Sequence, residues 1–143
     1  MGSTHLARFA VLLLVSLTPL SVAGESWDRD RAVVLAAQLE QTLGLALAAA
    51  ETATQQPTAM QQRTRDAAVI EMRRAHEYSG HYANKLRGGW DRDESEPFFD
   101  QLSRATRQAR ETASGAIPDP TVAPHLERMN TLLLELSKLY ERD

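Results

Sequence analysis

The chain has 143 residues, with 16 lysines and arginines against 19 acidic residues, four histidines and no cysteine. A formal net charge of −3 argues against a nucleic-acid partner, because proteins that bind phosphate backbones are usually basic. The lack of cysteine excludes disulfides, thiolate nucleophiles, thiolate metal ligands and covalent attachment of haem through cysteine.

Residues 1–23 have the order of a secretory signal peptide: a basic start, an apolar run over 9–20 and small residues ending at Ala23. A membrane-spanning helix needs about 20 apolar residues, whereas this run is shorter and is interrupted by Pro19. We therefore expect cleavage after Ala23 and a periplasmic mature chain, residues 24–143, that forms one domain without stable membrane insertion. The alternative is an uncleaved anchor, which would span the bilayer only under strain.

Glycine and proline divide the mature chain into four segments that are rich in good helix formers. Apolar residues recur in each segment at a spacing of three and four, which places them on one helical face. The predicted helices cover 27–54, 58–87, 96–114 and 120–142, and the third begins with Pro97 in its first turn. Short connections predict an all-α, antiparallel up-and-down four-helix bundle. The alternative is a long hairpin of the first two helices, with the shorter helices folded along part of it.

The unequal helix lengths predict a surface for association. At about 1.5 Å per residue, the hairpin of the first two helices is longer than the second pair, so the segment 45–66 should project beyond it. This segment should expose small apolar side chains at Ala46, Ala49 and Ala53. Leu45 lies off the apolar face of its helix. We predict a homodimer or an envelope protein partner, with Leu45 and Ala49 in the contact.

A slanting basic strip is predicted on the third helix, where arginines recur every three residues: Arg104, Arg107 and Arg110. If the second and third helices are neighbours, Arg73, Arg74 and Arg87 should lie near this strip. It could receive an acidic partner or an anionic small molecule. The usual meaning of such a strip is a solvated face that is partly neutralised by acidic neighbours, and we favour that interpretation.

Two motifs resemble metal sites and then depart from them. His76 and His81 nearly form the zinc-protease pattern, but side chains five residues apart diverge by about 140° on a helix. The acidic run that starts at Asp91 resembles the opening of a calcium loop, yet Leu102 stands where a bidentate glutamate is required. Acidic residues at the start of a helix are favoured by its dipole, and this explains the run better.

A haem or metal site inside the bundle is the second functional hypothesis. Counting from the helix ends places His76 and Met129 within about one turn of each other, both on inward faces. A histidine–methionine pair is a known axial ligation of haem. The alternative function is therefore a haem- or metal-binding bundle that uses His76 with Met129 or His125. The ordinary interpretation makes His76 a residue at the edge of the core and Met129 a plain core residue.

The sequence contains no nucleophile elbow, no glycine loop that would cradle a phosphate and no dinucleotide fingerprint. We therefore expect a protein without catalytic activity and without a cofactor. The preferred prediction is an exported periplasmic module that works by binding, as an accessory or sensor-like protein.

Overall fold

The computed structural model describes residues 27–53 and 58–142, which form four helices: α1 (Arg29–Thr52), α2 (Ala59–Arg87), α3 (Arg92–Ala116) and α4 (Ala123–Tyr140). Each helix contacts the next along the chain, and α1 also contacts α4. The helices α2 and α4 therefore lie across the diagonal of the bundle. This arrangement confirms the predicted all-α four-helix class.

The middle of the bundle is an aliphatic core to which all four helices contribute. Burial of one leucine or methionine side chain stabilises a fold by about 1.5–3 kcal/mol. The fully buried members of this layer are Leu39, Leu43, Met72, Leu86, Leu102, Met129, Leu132 and Leu136. Because the chain has no cysteine and therefore no disulfide, the packing of these side chains stabilises the fold.

The end of the bundle that contains the C-terminus of α1 is built from alanines. Ala46 is fully buried and Ala53 is 9% exposed, so the prediction that these two side chains are exposed is wrong. The reason is that α3 has 25 residues, nearly matching the 24 of α1, and is followed by the buried Ile117 and Val122. The first hairpin is still the longer one, because α2 has 29 residues and α4 only 18.

Arg65 of α2 closes the alanine end by binding the last turn of α1. Its side chain is buried, and Nη2 donates hydrogen bonds to the carbonyl oxygens of Ala50 at 2.8 Å, Glu51 at 3.1 Å and Ala53 at 3.0 Å. The last carbonyls of a helix have no partner within the helix and favour a nearby cation. Since the last turn of α1 contains no basic residue, the neighbouring helix supplies the charge.

The opposite end of the bundle, here called the aromatic end, contains a buried chain of hydroxyl groups. The Tyr82 and Tyr140 hydroxyl oxygens lie 2.7 Å apart, and the Tyr140 hydroxyl lies 2.8 Å from Ser95 Oγ. The Tyr140 ring stacks on Phe99 at 4.5 Å between centroids and packs against Trp27 at 5.0 Å. Burial raises the pKa of both tyrosines above their ordinary value of 10.0. This end is therefore held by large rings, and the buried hydroxyl groups of its two tyrosines bond to each other and to Ser95.

The helix α3 begins at Arg92, four residues before the predicted start. Asp91 caps it: its Oδ1 accepts from the Glu94 amide at 2.9 Å, while Glu94 Oε2 accepts from the Asp91 amide at 3.0 Å. This reciprocal pair is a capping box. The predicted start at 96, with Pro97 in the first turn, is wrong, because the capping box begins the helix earlier and Pro97 lies inside it. Two members of the acidic run, Asp91 and Glu94, thus form the helix cap.

The helix α1 is long and apolar enough to cross a membrane by length and composition alone. Its most apolar 18 residues have a mean hydropathy of 1.5, and 39% of this stretch is buried inside the bundle. A core helix of a soluble protein passes the same test. In the bundle, Glu40 of α1 pairs with Arg87 at 3.0 Å and Gln38 accepts from Arg128 at 3.3 Å. The predicted lack of membrane insertion stays a prediction.

Candidate binding cleft between the second and third helices

His76 and Met129, the predicted haem ligands, lie on helices at opposite corners of the bundle. The imidazole of His76 is half-buried against α1, where its Nε2 lies 3.3 Å from the position that a Cβ on Gly44 would occupy. Met129 is fully buried in the aliphatic core, and His125 is half-buried in the first turn of α4. In the described part of the chain, no three histidine or acidic side chains cluster to hold a metal ion. Haem binding stays a prediction.

The predicted contact surface on α1 is only partly open. Leu45 is 50% exposed, whereas Ala49 is half-buried and packs against the core. Val34 is 54% exposed, and at 100° per residue it shares the outer face of α1 with Leu45. Self-association through this face stays a prediction.

The basic strip follows the outside of α3, with Arg104 and Arg107 exposed and Arg110 half-buried. Two arginines of α2 that were expected nearby face α1 instead, because Arg73 pairs with Glu51 at 2.7 Å and Arg87 pairs with Glu40. Arg74 pairs with Glu71 of its own helix at 3.2 Å. The expected basic cluster of α2 and α3 is therefore not formed by Arg73 or Arg87.

A cleft of about 270 Å³ lies where α2 and α3 meet near the aromatic end. Its α2 residues are spaced by three and four and therefore share one helical face, while its α3 residues are three apart. The lining residues are Tyr78, His81, Lys85, Phe98 and Gln101. Small-molecule sites usually measure about 300–1,000 Å³, so this cleft suits a small ligand or one side chain of a partner.

Lys85 is held in the cleft by two aromatic rings. Its Nζ lies 4.0 Å from the Trp90 ring centroid and 4.3 Å from that of Phe98. The two rings meet edge to face at 5.1 Å. Cation–π contacts stabilise by about 0.5–2 kcal/mol each, depending on desolvation. The ammonium group is thus fixed in position although Lys85 is only half-buried.

The position of Trp90 follows from the end of α2. Gly89 adopts the left-handed conformation, with φ of 97°, which glycine reaches without strain. The Gly89 amide donates to the Leu86 carbonyl at 3.1 Å and the Trp90 amide donates to the Lys85 carbonyl at 3.2 Å, which together form a Schellman motif. This turn brings the Trp90 ring back over the last turn of α2.

The polar groups of the cleft are available to a ligand. In the regions that the structure describes, the Tyr78 hydroxyl, the His81 ring and the Gln101 amide make no hydrogen bond to another side chain or to the backbone, and Lys85 makes no ion pair. Unused donors beside an aromatic wall are typical of ligand sites. None of the described lining residues is acidic.

A second hollow, of about 410 Å³, lies at the connection between α3 and α4. Proline and aliphatic residues form much of its wall. Its Asp119 carboxylate already accepts from the Thr121 amide at 2.8 Å and from the Thr121 hydroxyl at 2.6 Å, and these hydrogen bonds lower the pKa of Asp119. Because the Asp119 carboxylate is already hydrogen-bonded within its own turn, it is less available to a ligand than the polar groups of the α2–α3 cleft. The α2–α3 cleft is therefore the better candidate site.

Sequence reasoning missed Lys85, Trp90 and Phe98. A signal was present, since Tyr78, His81 and Lys85 share one helical face and the glycine pair that ends α2 stands directly before Trp90. What the sequence could not supply was the packing of that face against α3. No protein family, curated protein or solved structure matches the chain.

Proposed function

We propose that the protein is an exported periplasmic module that binds a ligand in the α2–α3 cleft and acts without catalysis. The observation that carries this proposal is the convergence, beside an aromatic wall, of polar groups that have no hydrogen-bond partner among the described residues. Tyr78, His81 and Gln101 offer hydrogen-bonding groups, and Lys85 offers a fixed charge. Such a set can hold and orient a small molecule or a partner side chain.

Binding is favoured over catalysis by the kinds of groups that the cleft offers. A catalytic nucleophile needs a base within hydrogen-bonding reach and a third group that orients the base. The ammonium of Lys85 is committed to two aromatic rings, which fixes a positive charge and gives no activation as a nucleophile. The sequence also lacks the motifs of the common hydrolases and nucleotide-dependent enzymes.

The exported location rests on the sequence of residues 1–23, which lie outside the described residues. The described helices begin at Arg29, after the predicted cleavage point at Ala23. N-terminal sequencing of the protein from a periplasmic fraction tests this part directly. We expect a chain that begins at Gly24. A chain that keeps its first residues and stays in the cytoplasm would contradict it.

Binding is tested with a blocked cleft. Gln101→Trp places a large ring in the cleft from an exposed position, and Gln108→Trp makes the same change two turns further along α3. The low-molecular-weight fraction of a periplasmic extract should shift the amide NMR signals around Tyr78 and Phe98 in the wild type and in Gln108→Trp. The shifts should be lost in Gln101→Trp. Unchanged signals in the wild type, or equal shifts in both variants, would refute the proposal.

A further inference from the structure

We infer that the α2–α3 cleft binds a small organic anion, a carboxylate joined to a flat apolar group, and that Lys85 is the residue that recognises the carboxylate. This inference rests on the proposed function, because it names the ligand class of the same site. It uses observations that the proposed function does not need: the charge balance around the cleft and the position of the Lys85 ammonium group.

The charge balance of the cleft favours an anion. Lys85 is its fixed cation, and the described lining residues include no carboxylate to neutralise it. Of the acidic groups close to the cleft, Glu94 of α3 accepts from the Asp91 amide in the helix cap, and Glu77 of α2 is exposed and outside the cleft lining. A ligand carboxylate would therefore meet a positive charge without a competing acid in the cleft wall.

The geometry around Lys85 leaves its hydrogen-bonding capacity for the ligand. An ammonium group has three N–H donors and no acceptor. Aromatic faces attract the charge but accept no conventional hydrogen bond. With Nζ held 4.0 Å from the Trp90 centroid and 4.3 Å from the Phe98 centroid, the ammonium is oriented before a ligand arrives, which lowers the entropic cost of binding.

The remaining lining residues specify the rest of the ligand. The Tyr78 ring gives a flat group a surface to pack against, and the Tyr78 hydroxyl and Gln101 amide can donate to the second carboxylate oxygen or to a ring substituent. The volume of about 270 Å³ accommodates one ring and its acid group. A cationic ligand is disfavoured, because the place over the Trp90 and Phe98 rings is already taken by Lys85.

The test compares three probes that share a phenyl ring on a three-carbon chain and differ in the terminal group, which is an anion, a neutral hydroxyl or a cation. Isotope-labelled protein is titrated with 3-phenylpropionate, 3-phenylpropanol and 3-phenylpropylammonium, and binding is followed by the amide shifts of Tyr78, Lys85 and Phe98. We expect the anion to bind about tenfold or more tightly than the other two, the size of effect expected from one hydrogen bond to a charged group.

The sequence offers a matched control, because it contains only two lysines. Lys85→Met should weaken binding of 3-phenylpropionate about tenfold or more, whereas Lys138→Met, which also removes a lysine from the last turn of a helix, should leave it unchanged. Lys85→Arg keeps the charge and should retain most of the affinity. Circular dichroism checks that each variant is folded.

Three results would overturn the inference. Equal or tighter binding of the alcohol or the ammonium probe in the cleft would exclude an anion site and leave the proposed binding function standing. Anion binding that survives Lys85→Met would exclude Lys85 as the recognition residue. If no probe shifts the cleft amides at millimolar concentration, the ligand class is wrong, and the periplasmic extract with the Gln101→Trp variant decides the proposed function separately.

Discussion

Replacing Arg65 by methionine should destabilise the bundle, although the residue belongs to no binding surface. The guanidinium of Arg65 donates to three carbonyl oxygens at the end of α1 and is 7% exposed. Methionine keeps most of the apolar stem and removes the donors. The last turn of α1 then loses its cation, and its partly buried carbonyls lose their hydrogen bonds.

The size of the effect follows from two opposing contributions. All three hydrogen bonds leave from Nη2, which has only two hydrogens, so they count as about two bonds to a charged group. At the lower end of about 1.5–3 kcal/mol each, which suits a partly buried helix end, they contribute roughly 3–4 kcal/mol. The buried Nε of Arg65 has no hydrogen-bond partner among the described residues, and removing it returns about 1–2 kcal/mol. The net loss of unfolding free energy should be about 2 kcal/mol.

Urea denaturation followed by circular dichroism measures this loss. With a denaturant dependence of about 1–3 kcal/mol per molar urea, the midpoint should fall by about 1 M. Arg63→Met is the matched control, because Arg63 is exposed one half-turn away on the same helix. It should change the free energy by less than about 0.5 kcal/mol. Equal midpoints for the two variants would show that Arg65 does not hold the end of α1.

Three further predictions concern the aromatic end and the outer face of α1. Tyr140→Phe leaves the buried Tyr82 hydroxyl without its hydrogen-bond partner and should lower the free energy of unfolding by about 1–3 kcal/mol, measured by urea denaturation. The double variant Tyr82→Phe, Tyr140→Phe should lose less than the sum of the two single losses. Additive losses would contradict the shared hydrogen bond. Because the folded state raises the pKa of both tyrosines above 10.0, it keeps protons that the unfolded chain loses at high pH. The contribution of these tyrosines to the free energy of unfolding should therefore be fully present below pH 10.0 and should fall as the pH rises above it. Tyr82→Phe should weaken this fall, and a flat profile in the wild type would contradict the prediction. If the exposed Leu45 lies in a homodimer contact, light scattering should give a dimer for the wild type and a monomer for Leu45→Glu. The control Leu134→Glu, at an exposed leucine of α4, should remain a dimer. A monomeric wild type would contradict the prediction.

The helical class and the core could be predicted from the sequence because apolar residues recur at helical spacing over long segments. Each helix places an apolar residue of such spacing in the core, and Leu39, Met72, Leu102 and Met129 are all fully buried. Two predictions failed, the exposure of Ala46 and Ala53 and the start of α3. The start of α3 depends on a reciprocal hydrogen-bond pair between Asp91 and Glu94, and the sequence also permitted a proline-initiated start.

The candidate site could not be predicted, because it depends on which faces of α2 and α3 meet. Periodicity identifies the buried face of a helix and gives no rotation relative to its neighbour. The arginines of α2 show the consequence: Arg73 and Arg87 lie toward α1, while Lys85 lies toward α3, and only the ion pairs and ring contacts reveal this. A residue such as Arg65, whose role is defined by carbonyls of another helix, leaves no local signature.

At the aromatic end, two consecutive residues have different roles: Phe99 packs in the core, and Phe98 lines the cleft. Neighbouring side chains diverge by about 100° on a helix, so Phe99 faces inward and stacks on Tyr140, while Phe98 faces the cleft and contacts Lys85. The inner ring belongs to the hydrogen-bonded core, and the outer ring belongs to the surface that a ligand would touch. Changes at the half-buried Phe98 should therefore affect binding and cost less stability than changes at the buried Phe99. This division allows a small bundle without disulfides to carry an open cleft beside a core of fully buried side chains.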